Sequence, residues 1–175
     1  NRNRINFGGI SRRKVAFYGI FAALAILMGY VEAMLPSPVP IQGVKLGLAN
    51  VIVLIAMYFM GEKAAIGINV IRVVISALLF NGFAGFLYSM AGAGASFIVM
   101  VLAKKIKSSG IIGVSVLGGI THNIAQIGVA AAVLNTPGLM YYIPVLLISG
   151  TIMGVITGMV AKYCLVHIEK AGFKY

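Results

Sequence analysis

Six long apolar stretches, separated by short polar or proline- and glycine-rich segments, make up most of the chain. An α-helix rises about 1.5 Å per residue, so about 20 apolar residues cross the hydrocarbon of a bilayer. The pattern therefore predicts an all-α, polytopic membrane protein with six transmembrane helices. They are expected over residues 15–35, 45–60, 64–80, 85–103, 111–134 and 139–160.

Polar residues interrupt the middle of the fifth apolar stretch. Thr121, His122, Asn123 and Gln126 lie where hydrocarbon cannot solvate them, and such groups usually face a bundle interior or a cavity. At helical spacing, Gly118, His122 and Gln126 fall on one line with Asn123 beside it. The fifth helix is therefore predicted to carry a polar stripe that faces other helices.

Polar residues of other stretches reach similar depths. Arg72 is at the midpoint of the third predicted helix and His122 near the midpoint of the fifth, whereas Glu32 lies about 10 Å further out at helical rise. These depths predict a pocket that runs from mid-membrane toward the outer side and binds a small ligand. The predicted ligand-binding residues are Glu32, Lys45, Asn50, Asn69, Arg72, Ser76, His122, Asn123 and Gln126.

Each of these residues also has a purely structural interpretation. A charge at the bilayer centre costs about 2.5–3.5 kcal/mol on insertion scales, so Arg72 needs a partner. That partner is either Glu32, with Asn69 and Ser76 completing the hydrogen bonds, or an anionic ligand, and the two can coexist.

The other polar residues also have more than one possible role. His122 is expected to bond across helices, to contact ligand or to relay protons. Asn123 and Gln126 either join helices or bind ligand. Lys45 either snorkels to the membrane interface or reaches the pocket.

Small residues recur at four-residue spacing in two stretches. Gly19 and Ala23 do so in the first stretch, and Gly150, Gly154 and Gly158 in the sixth. Such faces allow close helix packing. They are interpreted either as packing surfaces within the bundle or as docking surfaces for a partner protein.

Composition and charge support the membrane assignment and set its orientation. The chain is 61% hydrophobic and 10% charged, with a formal net charge of +11. Twelve of its 14 lysines and arginines fall in the termini or in loops on one side, and the positive-inside rule makes that side cytoplasmic. We therefore expect both termini in the cytoplasm, a multi-pass location in the bacterial cytoplasmic membrane, and no nucleic-acid partner. The predicted organisation is a basic N-terminal segment (1–14), a transmembrane domain (15–161) and a cytoplasmic tail (162–175).

Several kinds of chemistry lack the residues that they require. The chain contains no aspartate, one cysteine and two histidines, which predicts no paired-carboxylate site, no metal site, no intrachain disulfide and no cofactor. A Gly-rich phosphate loop followed by Lys-Ser/Thr is also missing from the sequence. We therefore expect that the protein is not an enzyme. Any energy for transport must then come from a partner or a gradient.

Three stretches carry a family resemblance: YVEAMLPSPVPIQGVKLGLANVIVL, VIRVVISALLFNGFAGFLYSMAGA and GVSVLGGITHNIAQIGVA. Over about residues 12–163 the chain resembles the Gx transporter family, also labelled heptaprenyl diphosphate synthase component I, which is similar to the substrate-binding S components of energy-coupling factor (ECF) transporters. The resemblance implies an S-component-like bundle whose loops after spans 1, 3 and 5 close an outward-facing site. It also implies docking to a transmembrane coupling subunit driven by cytoplasmic ATPases, with Gly19 and Ala23 at the position of the small-residue docking face.

These observations predict a substrate-binding membrane subunit that captures a small anionic or isoprenoid- or quinone-related ligand from the outer side. The alternative is a non-catalytic subunit or scaffold of an isoprenoid, quinone or membrane electron-transfer assembly. In that alternative the polar stripe only packs helices together.

Overall fold

A computed structural model describes residues 12–35, 47–106 and 108–173 of the chain. Within these ranges the protein is helical and contains no strand. The α-helices are α1 (Arg12–Met34), α2 (Asn50–Phe59), α3 (Glu62–Ser76), α4 (Gly82–Lys105), α5 (Ile111–Val133) and α6 (Ile143–Lys170). A π-helical turn (Ala77–Asn81) joins α3 to α4, and a 3-10 helix (Pro137–Tyr142) leads into α6. The all-α prediction is confirmed.

Four helical segments are long and apolar enough to cross a membrane: α1, α4, α5, and α6 together with the 3-10 helix before it. The protein is therefore a membrane protein by the length and composition of its helices. Helix α2 is apolar but has only 10 residues, and α3 has 15. Six spans and the cytoplasmic position of both termini stay predictions.

Local backbone geometry explains where the helices depart from their predicted bounds. Helix α2 begins at Asn50 rather than at residue 45 because Gly47 has φ +89°, which no right-handed helix tolerates. Gly61, with φ +95°, precedes α3, and Glu62 in its first turn favours a helix N-terminus. Helix α6 continues through residues assigned to a cytoplasmic tail, because no glycine or proline intervenes until Gly172, where φ is +71°.

Helix α5 lies between α4 and α6 and makes its most extensive contacts with them. Helix α3 contacts α1, α2 and α4, and α2 also contacts α6. Many large apolar side chains of α1, α4 and α6 point outward, such as Leu27, Ile98 and Ile148. This distribution suits helices whose outer faces contact lipid.

Helix α2 extends between the two ends of the bundle despite its short length. Its start adjoins the C-terminal part of α1, because the backbone N–H of Leu48 donates to Glu32. Its end adjoins the N-terminal part of α1, where the rings of Phe17 and Phe59 are 5.4 Å apart. The end of α4 is at the same level, because Lys104 donates to the Met57 carbonyl. We call this second end, where α1 begins and α4 and α6 terminate, the basic end.

Candidate functional site

A buried carboxylate joins α1 to the segment before α2. Glu32 is only 5% exposed, and its Oε1 accepts hydrogen bonds from the backbone N–H groups of Gly47 and Leu48. The positive φ of Gly47 turns the chain so that consecutive N–H groups point at one oxygen. Glu32 is therefore held by backbone dipoles at the end of the bundle opposite the basic end.

A buried guanidinium lies on α3. Arg72 donates from Nη2 to Oδ1 of Asn69 at 2.8 Å, and Oδ1 of Asn50 on α2 is 3.5 Å from the same nitrogen. Asn69 in turn donates from Nδ2 to the carbonyl of Ala93 on α4 at 3.3 Å. The amide of Asn69 thus links the guanidinium to the backbone of α4. We call Glu32, Asn50, Asn69 and Arg72 the polar cluster.

The two charges of the polar cluster interact without direct contact. Glu32 acts on Arg72 as a Coulombic partner, but among the described residues neither forms an ion pair within 4.0 Å. Glu32 Oε2 and Arg72 Nε are buried and have no hydrogen-bond partner in the described parts of the chain. Buried polar atoms are nearly always hydrogen-bonded, so these two mark a place where a polar group from outside the described chain would be stabilising.

The polar stripe of α5 divides between two neighbouring helices. Asn123 donates from Nδ2 to the Leu146 carbonyl at 2.9 Å, with Ser149 Oγ at 3.4 Å, so it joins α5 to α6. His122 and Gln126 instead lie against Gly92 of α4, where a Cβ would be 2.6 Å from Gln126 Cγ and 3.0 Å from His122 Cε1. Asn123 is therefore a helix-joining residue, one of its two expected roles.

One turn of α4 connects the polar cluster with His122 and Gln126. Asn69 bonds to the carbonyl of Ala93, and the next residue back, Gly92, receives His122 and Gln126. Arg72 and His122 are 6% and 3% exposed, so both lie inside the bundle. Buried polar residues of α3 and α5 thus contact the same turn of α4, and their assignment to one ligand pocket stays a prediction.

The other predicted site residues have varied positions. Ser76 is buried where α3 meets α1, with its Oγ 3.1 Å from the place of a Cβ on Gly29. Lys45 lies outside the described residues. Gly19 and Ala23 are exposed on α1, and their assignment to partner docking stays a prediction.

The glycines of α6 are covered by α5. A Cβ on Gly150 would be 3.0 Å from the Gly119 carbonyl oxygen, one on Gly154 would be 2.6 Å from Val116 Cα, and one on Gly158 would be 2.8 Å from Ile112 Cα. Such contacts leave no room for a partner protein on this face. We therefore correct the assignment of Gly150, Gly154 and Gly158 from partner docking to packing within the bundle.

Sequence reasoning missed three contributors to the site. They are the backbone N–H groups of Gly47 and Leu48, which a search for polar side chains cannot find, and Gly92, one of many small residues in α4. The glycine at position 47, just before an apolar run, is the only sequence signal for the first two. A cavity of about 10 Å³ adjoins the polar cluster at Gly47 and Asn50, and that volume is at the lower limit for one water molecule.

The polar cluster is suited to binding a polar group. Among the described residues, no three His, Cys, Asp or Glu side chains come together as metal ligands. The polar cluster instead offers one cation, two amides and one carboxylate from three helices. Such a set can hold a polar group by charge and hydrogen bonds.

Comparisons with known proteins place the chain in a family. No curated protein and no solved structure matches it significantly. The family model described as heptaprenyl diphosphate synthase component I matches residues 21–165, a range that includes the whole polar cluster, His122 and Gln126. The chain therefore belongs to the heptaprenyl diphosphate synthase component I family.

Proposed function

We propose that this protein is a non-catalytic, ligand-binding membrane subunit that resembles the S components of ECF transporters. It captures a small ligand with an anionic head from the outer side of the cytoplasmic membrane. A transmembrane coupling subunit and cytoplasmic ATPases then supply the energy for uptake. The observation that carries this proposal is the buried polar cluster, in which Arg72 Nε and Glu32 Oε2 lack partners among the described residues.

The chemistry of the polar cluster favours an anionic head group. A guanidinium binds phosphate or carboxylate through paired N–H donors, and Arg72 uses only Nη2 in its hydrogen bonds to described residues. Glu32 is already engaged by two backbone N–H groups, which lessens its repulsion of an anion. The apolar helices around the cluster would suit an apolar tail, and the family description supports a prenyl diphosphate as the ligand class.

The position of the cluster supports access from the outer side. Glu32 lies near the end of α1, and Asn50 is the first residue of α2, so the cluster lies toward the end of the bundle opposite the basic end. By the positive-inside rule the basic end faces the cytoplasm. A ligand would then reach Arg72 from the outer side.

A second candidate function is a scaffold in a prenyl diphosphate synthase assembly. The family description supports it, and so does the role of Asn123, which joins α5 to α6 rather than facing the polar cluster. In this case the polar residues stabilise the bundle, and the ligand belongs to a partner. Co-purification with a soluble prenyl transferase, and not with an ATPase, would favour this candidate over the transporter.

The ligand-binding proposal is tested with farnesyl diphosphate as the probe, and farnesol and inorganic pyrophosphate as its two parts. We expect farnesyl diphosphate to raise the unfolding temperature of the detergent-purified protein, since a ligand that binds only the folded state stabilises it. Arg72→Gln should weaken this binding at least about tenfold, because it removes a buried charge partner. Lys63→Gln, at an exposed position at the start of α3, is the control and should bind normally.

Two results would overturn this assignment. One is equal binding of farnesyl diphosphate to Arg72→Gln and to wild type when circular dichroism shows both to be folded. The other is equal binding of farnesol and farnesyl diphosphate to wild type, which would leave no role for the cation. Arg72→Lys keeps the charge without the paired donors, so it separates charge from geometry if Arg72→Gln does not fold.

A further inference from the structure

A groove of about 690 Å³ opens at the basic end, at the end of α2 opposite the polar cluster. It lies between the end of α2, the start of α5 and the last third of α6. Its lining includes Phe59, Ile111, Lys162, Leu165, Val166 and Phe173. Its volume is within the range of small-molecule sites, which is about 300–1,000 Å³.

The groove exists because α6 is longer than its neighbours. Helix α2 ends at Phe59 and α5 begins at Ile111, whereas α6 continues to Lys170. After α6, Gly172 turns the chain and the N–H of Phe173 bonds to the Ile168 carbonyl. Phe173 thereby returns toward the bundle and meets Phe17 of α1 edge-on, with ring centroids 6.5 Å apart. The walls of the groove are mostly apolar and are held by these aromatic contacts.

One cation lines this apolar groove and two more lie beside it. Lys162 is part of its lining. Lys104 lies with Nζ 5.0 Å from the ring centroid of Tyr58, another lining residue, and it uses one of its three donors on the Met57 carbonyl. Arg13 lies over the ring of Phe17 at 5.7 Å. Glu169 is the one acidic residue of the lining and offsets Lys162 there, so the positive excess near the groove comes from Lys104 and Arg13 beside it.

We propose that this groove binds an anionic phospholipid. One acyl chain lies against Phe59, Leu165 and Phe173, and the phosphate is held by Lys162, with Lys104 and Arg13 adding to the positive field. An apolar slot beside lysines at the end of a bundle matches both halves of such a lipid, and basic pockets between helices on the cytoplasmic side are suited to acidic head groups. A zwitterionic lipid would fill the slot but gain much less from the cations. This inference does not depend on the proposed function, since it uses the opposite end of the bundle.

The first test is native mass spectrometry of the full chain with phosphatidylglycerol and with phosphatidylcholine of the same acyl composition. We expect wild type to retain phosphatidylglycerol preferentially. Lys162→Gln should weaken that retention about fivefold, the effect of one lysine near an anionic head group. Lys170→Gln is the matched control, because it removes an exposed lysine of the same helix that is absent from the groove lining, and it should change little.

A second pair of variants tests the apolar half of the site. Val166→Trp puts a large side chain into the groove at a position that is 40% exposed, and it should abolish retention of phosphatidylglycerol. Ile152→Trp is the control: it lies nearer the N-terminus of α6, outside the groove, is 53% exposed, and should retain the lipid.

Three outcomes would overturn the lipid assignment. They are equal retention of the two lipids by wild type, equal behaviour of Lys162→Gln and Lys170→Gln, and a co-purified peptide that Val166→Trp displaces while lipid stays bound. None of them affects the farnesyl diphosphate experiment on Arg72, so the two proposals fail separately.

Discussion

Arg72 is solvated inside the bundle mainly by amides. Its short hydrogen bond goes to Asn69, while the carboxylate of Glu32 is engaged by backbone N–H groups. A direct buried ion pair would neutralise both groups and leave little reason for a ligand to enter. Two separated charges, each partly satisfied, keep the capacity to bind another polar group. This is the physical difference between a structural pair and a binding site.

Asn69 should be the most costly amide to remove from the bundle. Asn69→Ala deletes a hydrogen bond to a buried cation, and such bonds contribute about 1.5–3 kcal/mol. Asn123→Ala deletes neutral bonds between α5 and α6, which in membrane proteins average about 0.6 kcal/mol. Equilibrium unfolding in mixed micelles, followed by circular dichroism, should therefore show the larger loss of unfolding free energy for Asn69→Ala. The reverse order would mean that Arg72 obtains its solvation elsewhere.

Gly92 is required by its neighbours on α5, whereas Gly94 is not. A Cβ at Gly92 would collide with Gln126 and His122, while one at Gly94 meets nothing within 4 Å. Gly94→Ala should gain up to about 1 kcal/mol of helix propensity. Gly92→Ala should lose stability instead, and it should also weaken farnesyl diphosphate binding if His122 belongs to the site. The measurements are thermal unfolding and probe binding of the two variants, and equal stabilisation by both would contradict the observed packing.

Among the elements, α5 and α6 form the most extensive contact in the described bundle. Their backbones approach at Gly119, Gly150, Gly154 and Gly158, and the hydroxyls of Ser115 and Thr157 bond at 2.7 Å beside them. In a membrane, helix association depends on such close packing and on interhelical hydrogen bonds, because lipid tails are as apolar as the side chains. The glycines of α6 therefore contribute to the bundle itself.

Gly154→Ala tests this contact. The added methyl would meet the backbone of Val116 at 2.6 Å, and backbone cannot move aside as a side chain can. We expect a loss of about 1–3 kcal/mol in unfolding free energy, typical of overpacking. Gly128→Ala on α5, where nothing lies within 4 Å, is the control and should be neutral or stabilising. Unchanged stability of Gly154→Ala would show that the two helices can separate without cost.

The elements were largely predictable, and the exceptions have local causes. The length of the apolar runs alone predicted α4 and α5, because each of these helices is one largely uninterrupted apolar run. The length of α2 was overestimated because its start depends on the conformation of Gly47. That conformation in turn depends on the carboxylate of Glu32, which accepts the Gly47 N–H and is 15 residues away in sequence. The polar cluster followed from depth counting, since a buried charge must meet other polar groups. Two features could not be predicted: the backbone N–H groups that donate to Glu32, and the hydrogen bond from Asn69 to the Ala93 carbonyl. Both depend on side-chain rotation, which the depth of a residue in the membrane does not determine.

For the whole molecule, the number of membrane crossings depends on the short helices α2 and α3. Their connecting turn lies at the basic end, near the beginning of α1 and the end of α4. A six-span arrangement is therefore expected although α2 has only 10 residues. Single cysteines, introduced after Cys164→Ala removes the native one, can test it.

We expect Lys63→Cys to react with a membrane-impermeant maleimide from the cytoplasmic side only, since residue 63 follows the turn between α2 and α3. Thr136→Cys, in the exposed connection between α5 and α6, should react only from the outside. The measurement is labelling in right-side-out and inverted vesicles, with Lys170→Cys as the marker for the cytoplasmic side. Labelling of Lys63→Cys from the outside would show that α2 and α3 form a re-entrant hairpin.

The glycine contact between α5 and α6 also limits how the protein could change shape. Because their backbones touch at the glycines, these two helices should behave as a single rigid slab, to which α4 adheres along an extensive surface. Helices α2 and α3 meet that slab over smaller areas and α1 packs against them, and the polar cluster spans the boundary through the Asn69 bond to α4. Ligand entry is then expected to involve an outward movement of the first three helices relative to the slab, with Gly47 and the π-helical turn as pivots.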